Sequence, residues 1–433
     1  MMHAQTSLEV IPGAGRLMSS LRDMGYEFST AVADLVDNSI EAGATQVSID
    51  IEFEGESSWV RIADNGSGMT PKQLREAMRY GSSRSYSADD LGKFGLGLKV
   101  ASLSQCRKLS VASCRGRDRG EITAYCWDLG HIQKTNRWEL VALSREDASA
   151  LFEPLKYSAG TVVLWQRLDR VLAYEYPNGE SARRRLGIMA REVEGHLAMV
   201  FHRYLAGEVR GRPKLRITVN GAEVSPWDPF ARDEPATRPL DPIAIPVAHA
   251  GVRGHVKLEP FVLPHQANFS SAESFRRASG PANWTQQQGF YIYRADRLIQ
   301  CGGWSRIRTL DEHTKLARIA LCFSPQLDEA FRVNVAKMRV HLPATLREPI
   351  TEAIFPVTRF ANAMYRRTSL KLAREGVTLH GALDDEHPAG EILTAQKKAA
   401  NAAMRHAVAS LLRVADGVEQ RIIRRVAARL KLA

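Results

Sequence analysis

Between Ala31 and Lys99, three short segments carry residue types that can do chemistry. In AVADLVDNSIEAGAT, Asp34, Asp37, Asn38 and Glu41 fall at i, i+3, i+4 and i+7, one polar stripe on a helix. Such a stripe is often only a solvated face. It also suits a divalent cation and a water, since an Asn side-chain oxygen can share Mg²⁺ with phosphates. Asp34, one turn earlier, then faces the attacking water as base or positioner. In DNGSGM, Asp64 ends an extended run at what, taken alone, is an ordinary hairpin turn. A carboxylate there can accept a hydrogen bond from an exocyclic amino group, which adenine carries where guanine has a carbonyl. Gly66 and Gly68 let the backbone approach a flat ring, and Met69 can pack on it. GKFGLGLK, Gly92 to Lys99, has neither P-loop nor G-x-G-x-x-G spacing. Gly92, Gly95 and Gly97 nonetheless precede a predicted helix, offering backbone N–H groups to phosphate oxygens, and Lys93 and Lys99 add charge. Alone, this segment also reads as a flexible loop.

These residues need a frame. Phe28, Val32, Leu35, Val36 and Ile40 mark an amphipathic helix over 26–44, with Ser29 or Thr30 as its cap and Gly43 at its end. Val47, Ile49, Ile51 and Phe53 alternate as a half-buried strand, and a second strand from Trp59 to Ala63 delivers Asp64 to its turn. Helical patterns at 71–80 and in VASLSQ, with strands near 109–114, 121–127 and 161–165, complete an α/β sandwich. A charged helix over 181–206 leads to a second region that begins at KLRITVNG (214–221). Strands are predicted there at GHVKLEP, GFYIYRADRLIQ and ARIALCF, and helices after Pro343 and from about Ile392.

The order and spacing of AVADLVDNSIEAGAT, DNGSGM and LGKFGLGLK closely resemble the motifs of the GHKL ATPases, and GTVVLW (Gly160 to Trp165) resembles their later Gly-Thr element. The likeness covers residues 20–170 and implies a Bergerat fold that binds ATP with Mg²⁺ under a mobile lid over about 80–97. Carried over by position, it makes Asn38 the Mg²⁺ ligand and Asp64 the adenine-recognising carboxylate. Gly68 and Met69 line the base pocket, and Thr161 supports Asp64 through its hydroxyl. Gly95, Gly97 and Lys99, with Lys93, meet the phosphates. Hydrolytic relatives usually carry Glu where this chain has Asp34, and the likeness points Asp37 elsewhere. The shorter side chain withdraws the carboxylate by about 1.5 Å, and a misplacement of about 1 Å can cost about a hundredfold in rate. Hydrolysis is therefore expected to be slow.

EAFRVNVAKMRVHLP (Glu329 to Pro343) looks like the transducer segment of such proteins, which implies that Lys337 reads the γ-phosphate, with Lys315 as second choice. GTVVLW, QGFYIYRADRLI and VAKMRV look most like bacterial MORC-type proteins. The implied architecture is α+β: an N-terminal arm (1–25), an ATP-binding Bergerat sandwich (26–175), a linker helix (176–211), a transducer-like α/β domain (212–345) and a helical basic C-terminal region (346–433). It implies an ATP-gated clamp that homodimerises through the arm. The rival is an ATP-binding interaction module with little or no hydrolysis.

The 433 residues, 44% hydrophobic and 25% charged, exclude bulk disorder. A net charge of +11 admits an anionic partner, DNA among them. The last 43 residues hold nine Lys/Arg against three Asp/Glu on a helix with apolar positions Leu411, Val414, Val418, Ile422, Val426 and Leu430. Five cysteines without C-x-x-C spacing read as free thiols, and no signal or membrane-spanning pattern is present, so a cytoplasmic protein with no membrane partner is expected. Histidine-kinase, DQHA-type endonuclease and tyrosine topoisomerase readings lack their residues.

Overall fold

Alternating apolar residues in QVSIDIE and WVRIAD build two antiparallel strands, β1 (Gln46–Glu52) and β2 (Trp59–Asp64), with Ile49 opposite Ile62. The computed structural model describes residues 12–23, 26–81, 97–116, 122–146, 151, 153–155, 158–173, 176–280, 283–333, 337 and 340–374. In it, β1 and β2 belong to an eight-stranded sheet ordered β5-β4-β3-β6-β2-β1-β7-β8. The remaining strands are β3 (Lys108–Cys114), β4 (Thr123–Asp128), β5 (Val141–Ala142), β6 (Gly160–Gln166), β7 (Arg216–Val219) and β8 (Ala222–Glu223). Helices α1 (Ala14–Arg22), α2 (Phe28–Glu41), α3 (Pro71–Met78), α4 (Gly97–Leu103), α5 (Leu129–Thr135), α6 (Glu180–Val200) and α7 (His202–Ala206) accompany it. The period of two divides each strand between faces. Ile49, Ile62, Val111 and Trp165 join Val32 and Val36 of α2 and Val193 and Leu197 of α6 in the main core. Ala63, Ala112, Val162 and Leu164 form a smaller core on the other face.

A second sheet, ordered β10-β11-β14-β12-β13, contains β10 (Ile243–His249), β11 (Val252–Val262), β12 (Gly289–Arg294), β13 (Arg297–Cys301) and β14 (Ala317–Phe323), with β9 (Arg238–Pro239) against β11. Phe290, Ile292, Ile319 and Leu321 pack with Leu346, Ile350 and Ile354, which lie on α10 (Ala344–Arg374), the helix that follows α8 (Ala272–Ser279) and α9 (Trp284–Gln287). Ala295 (φ 47°) and Asp296 (φ 63°) join β12 to β13 as a two-residue turn, both left-handed without glycine. Surrounding bonds hold this turn. Tyr204 Oη donates to Ala295 O at 2.8 Å, Arg203 pairs with Asp296 at 2.8 Å, and the buried Arg294 pairs with Asp328 at 2.6 Å.

The architecture is α+β, as expected, but three details differ from the sequence reading. KLRITVNG does not open the second region: β7 runs parallel to β1, with Gln46 opposite Arg216, inside the first sheet. The chain reaches β7 from β6 through α6, which packs on α2, so the expected linker helix is part of the first layer. Helix α2 starts at Phe28 behind Glu27, without a side-chain cap, so Ser29 and Thr30 lie within it. Of the expected arm, α1 is folded onto its own domain: Met18 is buried, Arg22 Nε donates to Leu103 O at 2.6 Å, and Arg22 pairs with Asp169. Residues 1–11, residues 82–96 of the lid expected over about 80–97 (with Lys93 and Gly95), and the tail beyond 374 lie outside the described residues. Among the described residues, those through Arg366 form one compact unit, and Arg367–Arg374 fall outside it. The five cysteines are free thiols. Among the described residues, no helix is long and apolar enough to cross a membrane.

Candidate functional site

Helix α2 packs against both α4 and α6, so its polar stripe divides. Asp34 and Asp37 are 3% and 0% exposed, whereas Asn38 faces solvent. Two carboxylates one turn apart cannot stay buried and charged without cations, and both cations come from far along the chain. Arg297, the first residue of β13, donates from Nε to Asp37 Oδ1 at 2.9 Å, and its Nη2 lies 3.7 Å from Asp34 Oδ1. Lys337 Nζ donates to Asp37 Oδ2 at 2.6 Å and lies 3.7 Å from Asp34 Oδ1. Arg297 Nη1 also reaches Lys337 O at 3.4 Å, bracing a residue whose φ is 49°. Lys337, expected at the γ-phosphate, lies beside both carboxylates, and its short bond is to Asp37. Lys315, the second choice, pairs instead with Glu312.

Asp34 is the unusual member of this cluster. Tyr26 Oη donates to its Oδ2 at 3.1 Å, while its buried Oδ1 accepts no hydrogen bond among the described residues. Burial pushes its carboxyl up to about 6 and Asp37 adds to that rise; Lys337, Arg297 and the Tyr26 hydroxyl oppose it. Gly97, first residue of α4, comes close: a Cβ there would lie 3.7 Å from Asp34 Oδ2.

A second carboxylate stands at the end of β2. Asp64 Oδ1 accepts from Gly66 N at 2.9 Å and Thr161 N at 3.3 Å, and Oδ2 accepts from Ser39 Oγ at 3.1 Å. Burial raises its pKa, and these three donors oppose the rise. Thr161, expected to reach Asp64 through its hydroxyl, meets it through its backbone N–H instead. Its hydroxyl lies 3.0 Å from Ser113 Oγ, because β6 pairs with β3 on its other edge. Ser113 Oγ also accepts from Met69 N at 2.9 Å, fixing the loop that leads out of DNGSGM. Gly68 has φ 63°, and a Cβ there would meet Cys114 O at 1.9 Å, so this close approach requires glycine. Met69 is half-buried against the main core.

Lys99 departs from its expected place. Its side chain is buried, Nζ donates to Ala77 O at 2.9 Å, and burial lowers its pKa to about 8. Carbonyls at a helix C-terminus attract cations, and α3 ends at Met78, so Lys99 is held by that helix end rather than aimed at a phosphate. Sequence reading missed Arg297, Ser39 and Tyr26. Ser39 sat within the quoted motif, between Asn38 and Ile40, and its small polar side chain on a helix carried no distinguishing signal.

Residues 26–161 match the family model described as histidine kinase-, DNA gyrase B-, and HSP90-like ATPase. Over this segment the chain is similar to the GHKL ATPases. Curated relatives include DNA mismatch repair protein MutL of Shewanella denitrificans, 42% identical over 90 residues, which cover 20% of this chain and 13% of that protein. MutL of Pasteurella multocida is 32% identical over 137 residues, covering 31% of this chain and 20% of its own length. MutL of Klebsiella pneumoniae strain 342 is 30% identical over 220 residues, half of this chain and 31% of its own length. The chain therefore spans less than a third of these relatives. Arg297 and Lys337 lie beyond the family segment.

Proposed function

We propose that this chain binds Mg²⁺-ATP over α2, α4 and Asp64 and hydrolyses it slowly. The observation that carries this reading is Asp34, a buried carboxylate whose Oδ1 accepts no hydrogen bond among the described residues and whose pKa is pushed up to about 6. A general base works best when its pKa lies near the operating pH. In this reading Asp64 accepts the adenine amino group, Gly68 and Met69 shape the base pocket, and Gly97, with Lys93 and Gly95 of the lid, meets the phosphates. Lys337 answers the terminal phosphate, and Asp34 orients the attacking water and takes its proton.

The donor set fits the cation. Among the described residues no cluster of three or more His, Cys, Asp or Glu can cage a metal. Asn38, solvent-facing one residue after Asp37, is a neutral oxygen donor of the kind a cation shared with phosphates takes. Mg²⁺ bound there offsets phosphate charge. Asn38→Ala should weaken ATP binding at least about tenfold in Mg²⁺ and little in EDTA, since even outer-shell partners of a metal are worth about 10–100-fold. Calorimetric titration with and without Mg²⁺, beside a phosphate-release assay, checks this; an equal loss in both conditions overturns the role.

Binding without turnover is a second reading, favoured by the two cations that hold Asp34 and Asp37. It predicts ATP affinity with background turnover, and an Asp34→Glu variant that hydrolyses faster.

We also propose an ATP-dependent homodimer that meets DNA through its C-terminal residues. The concentration of positive charge in 391–433 supports this, as does the mismatch-repair role in the relatives' name. With a non-hydrolysable ATP analogue the solution mass should double. Removing 391–433 should weaken DNA binding and flatten its salt dependence, because phosphate contacts release counterions. An unchanged salt slope overturns the DNA role.

A further inference from the structure

We propose that Asp37 is a positioning and specificity-determining residue that holds Lys337 in reserve and yields it to the terminal phosphate of a nucleoside triphosphate. The inference rests on the reading of the site as a triphosphate pocket. Within the buried cluster two carboxylates face two cations, but the four are not equivalent. Arg297 makes three separate interactions, with Asp37, Asp34 and the Lys337 carbonyl. It is also rooted in a hairpin whose turn is tied down by Tyr204, Arg203 and the Arg294–Asp328 pair. Lys337 is held differently. Its side chain makes two contacts among the described residues, 2.6 Å to Asp37 Oδ2 and 3.7 Å to Asp34 Oδ1. Its φ of 49° is a conformation that L-residues adopt at a cost, of the kind found at switch points.

This asymmetry makes exchange feasible. When the Lys337 ammonium leaves Asp37 Oδ2, Asp37 keeps the Arg297 hydrogen bond at Oδ1, so the buried carboxylate is not stranded. The ammonium already lies 3.7 Å from Asp34 Oδ1, on a flexible four-carbon stem. A phosphate arriving beside Asp34 adds negative charge there and draws the ammonium across. A diphosphate is one phosphate shorter and leaves Lys337 on Asp37. Breaking the Asp37–Lys337 bond therefore opposes triphosphate binding and leaves diphosphate binding untouched, so Asp37 sets the ratio of the two affinities.

The test is the affinity of the full chain for the β,γ-imido analogue of ATP and for ADP, by calorimetry in Mg²⁺. Asp37→Asn removes the charge that competes for Lys337 and keeps an acceptor for Arg297. It should tighten the analogue about tenfold, within the usual range of coupling between sites, and leave ADP within about twofold. In a Lys337→Met background the same change should shift neither ligand. Equal shifts for both ligands, or the same analogue-specific gain without Lys337, overturn the exchange. If the wild-type chain binds neither nucleotide, the pocket reading itself fails, which is a separate outcome. Should the Asn variant lose its cooperative melt, Asp37→Glu carries the test. It restores the charge beside Lys337, so the analogue-to-ADP ratio should stay within about threefold of wild type, and a tenfold change overturns the proposal.

Discussion

Asp34→Asn should lower ATP turnover by about 10²–10⁴-fold, the usual contribution of a positioned general base, while ATP binding changes by no more than a few-fold. The buried Oδ1 of Asp34 accepts no hydrogen bond among the described residues, and Oδ2 already has Tyr26, so the reaction would lose its acceptor and the fold would lose little. The pH dependence follows from the same burial. The base must be unprotonated, so turnover of the native chain should rise with pH through a midpoint near 6. Stability should move in the opposite direction. A carboxyl whose pKa is about 6 when folded and 3.8 in its unperturbed state binds its proton more tightly when folded, so its ionisation destabilises the fold as pH rises through that window. Two pKa units correspond to about 3 kcal/mol, fully present above pH 6 and absent below about pH 4. Asn resembles the protonated carboxyl, so Asp34→Asn should gain up to about 3 kcal/mol at pH 8 and almost nothing at pH 4. Denaturant unfolding at the two pH values checks the sign. A variant equally destabilised at both would mean that Lys337 and Arg297 outweigh burial at Asp34.

What could be read from the sequence depended on how far apart the partners lie. Asp34, Asp37 and Asn38 were recognisable as neighbours because a helical period is local. The division of that stripe was not, because it depends on Arg297 and Lys337, which lie 260 and 300 residues beyond Asp37. Lys337 was found only through family resemblance; Arg297 lay in a quoted strand and looked like any basic strand residue. Asp64 could be placed at a strand end by alternation, and Thr161 at its side by motif order. Which Thr161 atom serves Asp64 depends on β6 having partners on both edges, a property of strand order. The pairing of β1 with β7 was hidden for the same reason, since β2 through α6 lie between them along the chain. Lys99 misled because a lysine after glycines suggests phosphate, while the end of α3 offers an equally good place for the charge.

Asp64→Asn should cost at least about a hundredfold in ATP and ADP affinity alike and leave the fold intact. The two halves of that expectation come from the same three hydrogen bonds. An asparagine can turn its Oδ1 toward Gly66 N and Thr161 N and its Nδ2 toward Ser39 Oγ, which accepts as readily as it donates. Every local bond then survives. The atom left facing the pocket beside Ser39 is no longer a carboxylate oxygen but an amide nitrogen, a donor set against the adenine amino donor. Loss of a hydrogen bond to a charged group costs about 1.5–3 kcal/mol, and two opposed donors add to that. Sites built to bond a ligand group discriminate strongly when that group is mismatched. Both nucleotides carry the same base, so the loss should not depend on the number of phosphates, unlike any effect of Asp37 or Lys337. Ser39→Ala, which removes one donor and leaves the carboxylate, should cost about tenfold or less. Calorimetry with ATP, ADP and GTP separates these expectations. A loss confined to ATP, or unchanged adenine preference in Asp64→Asn, would move base recognition away from Asp64.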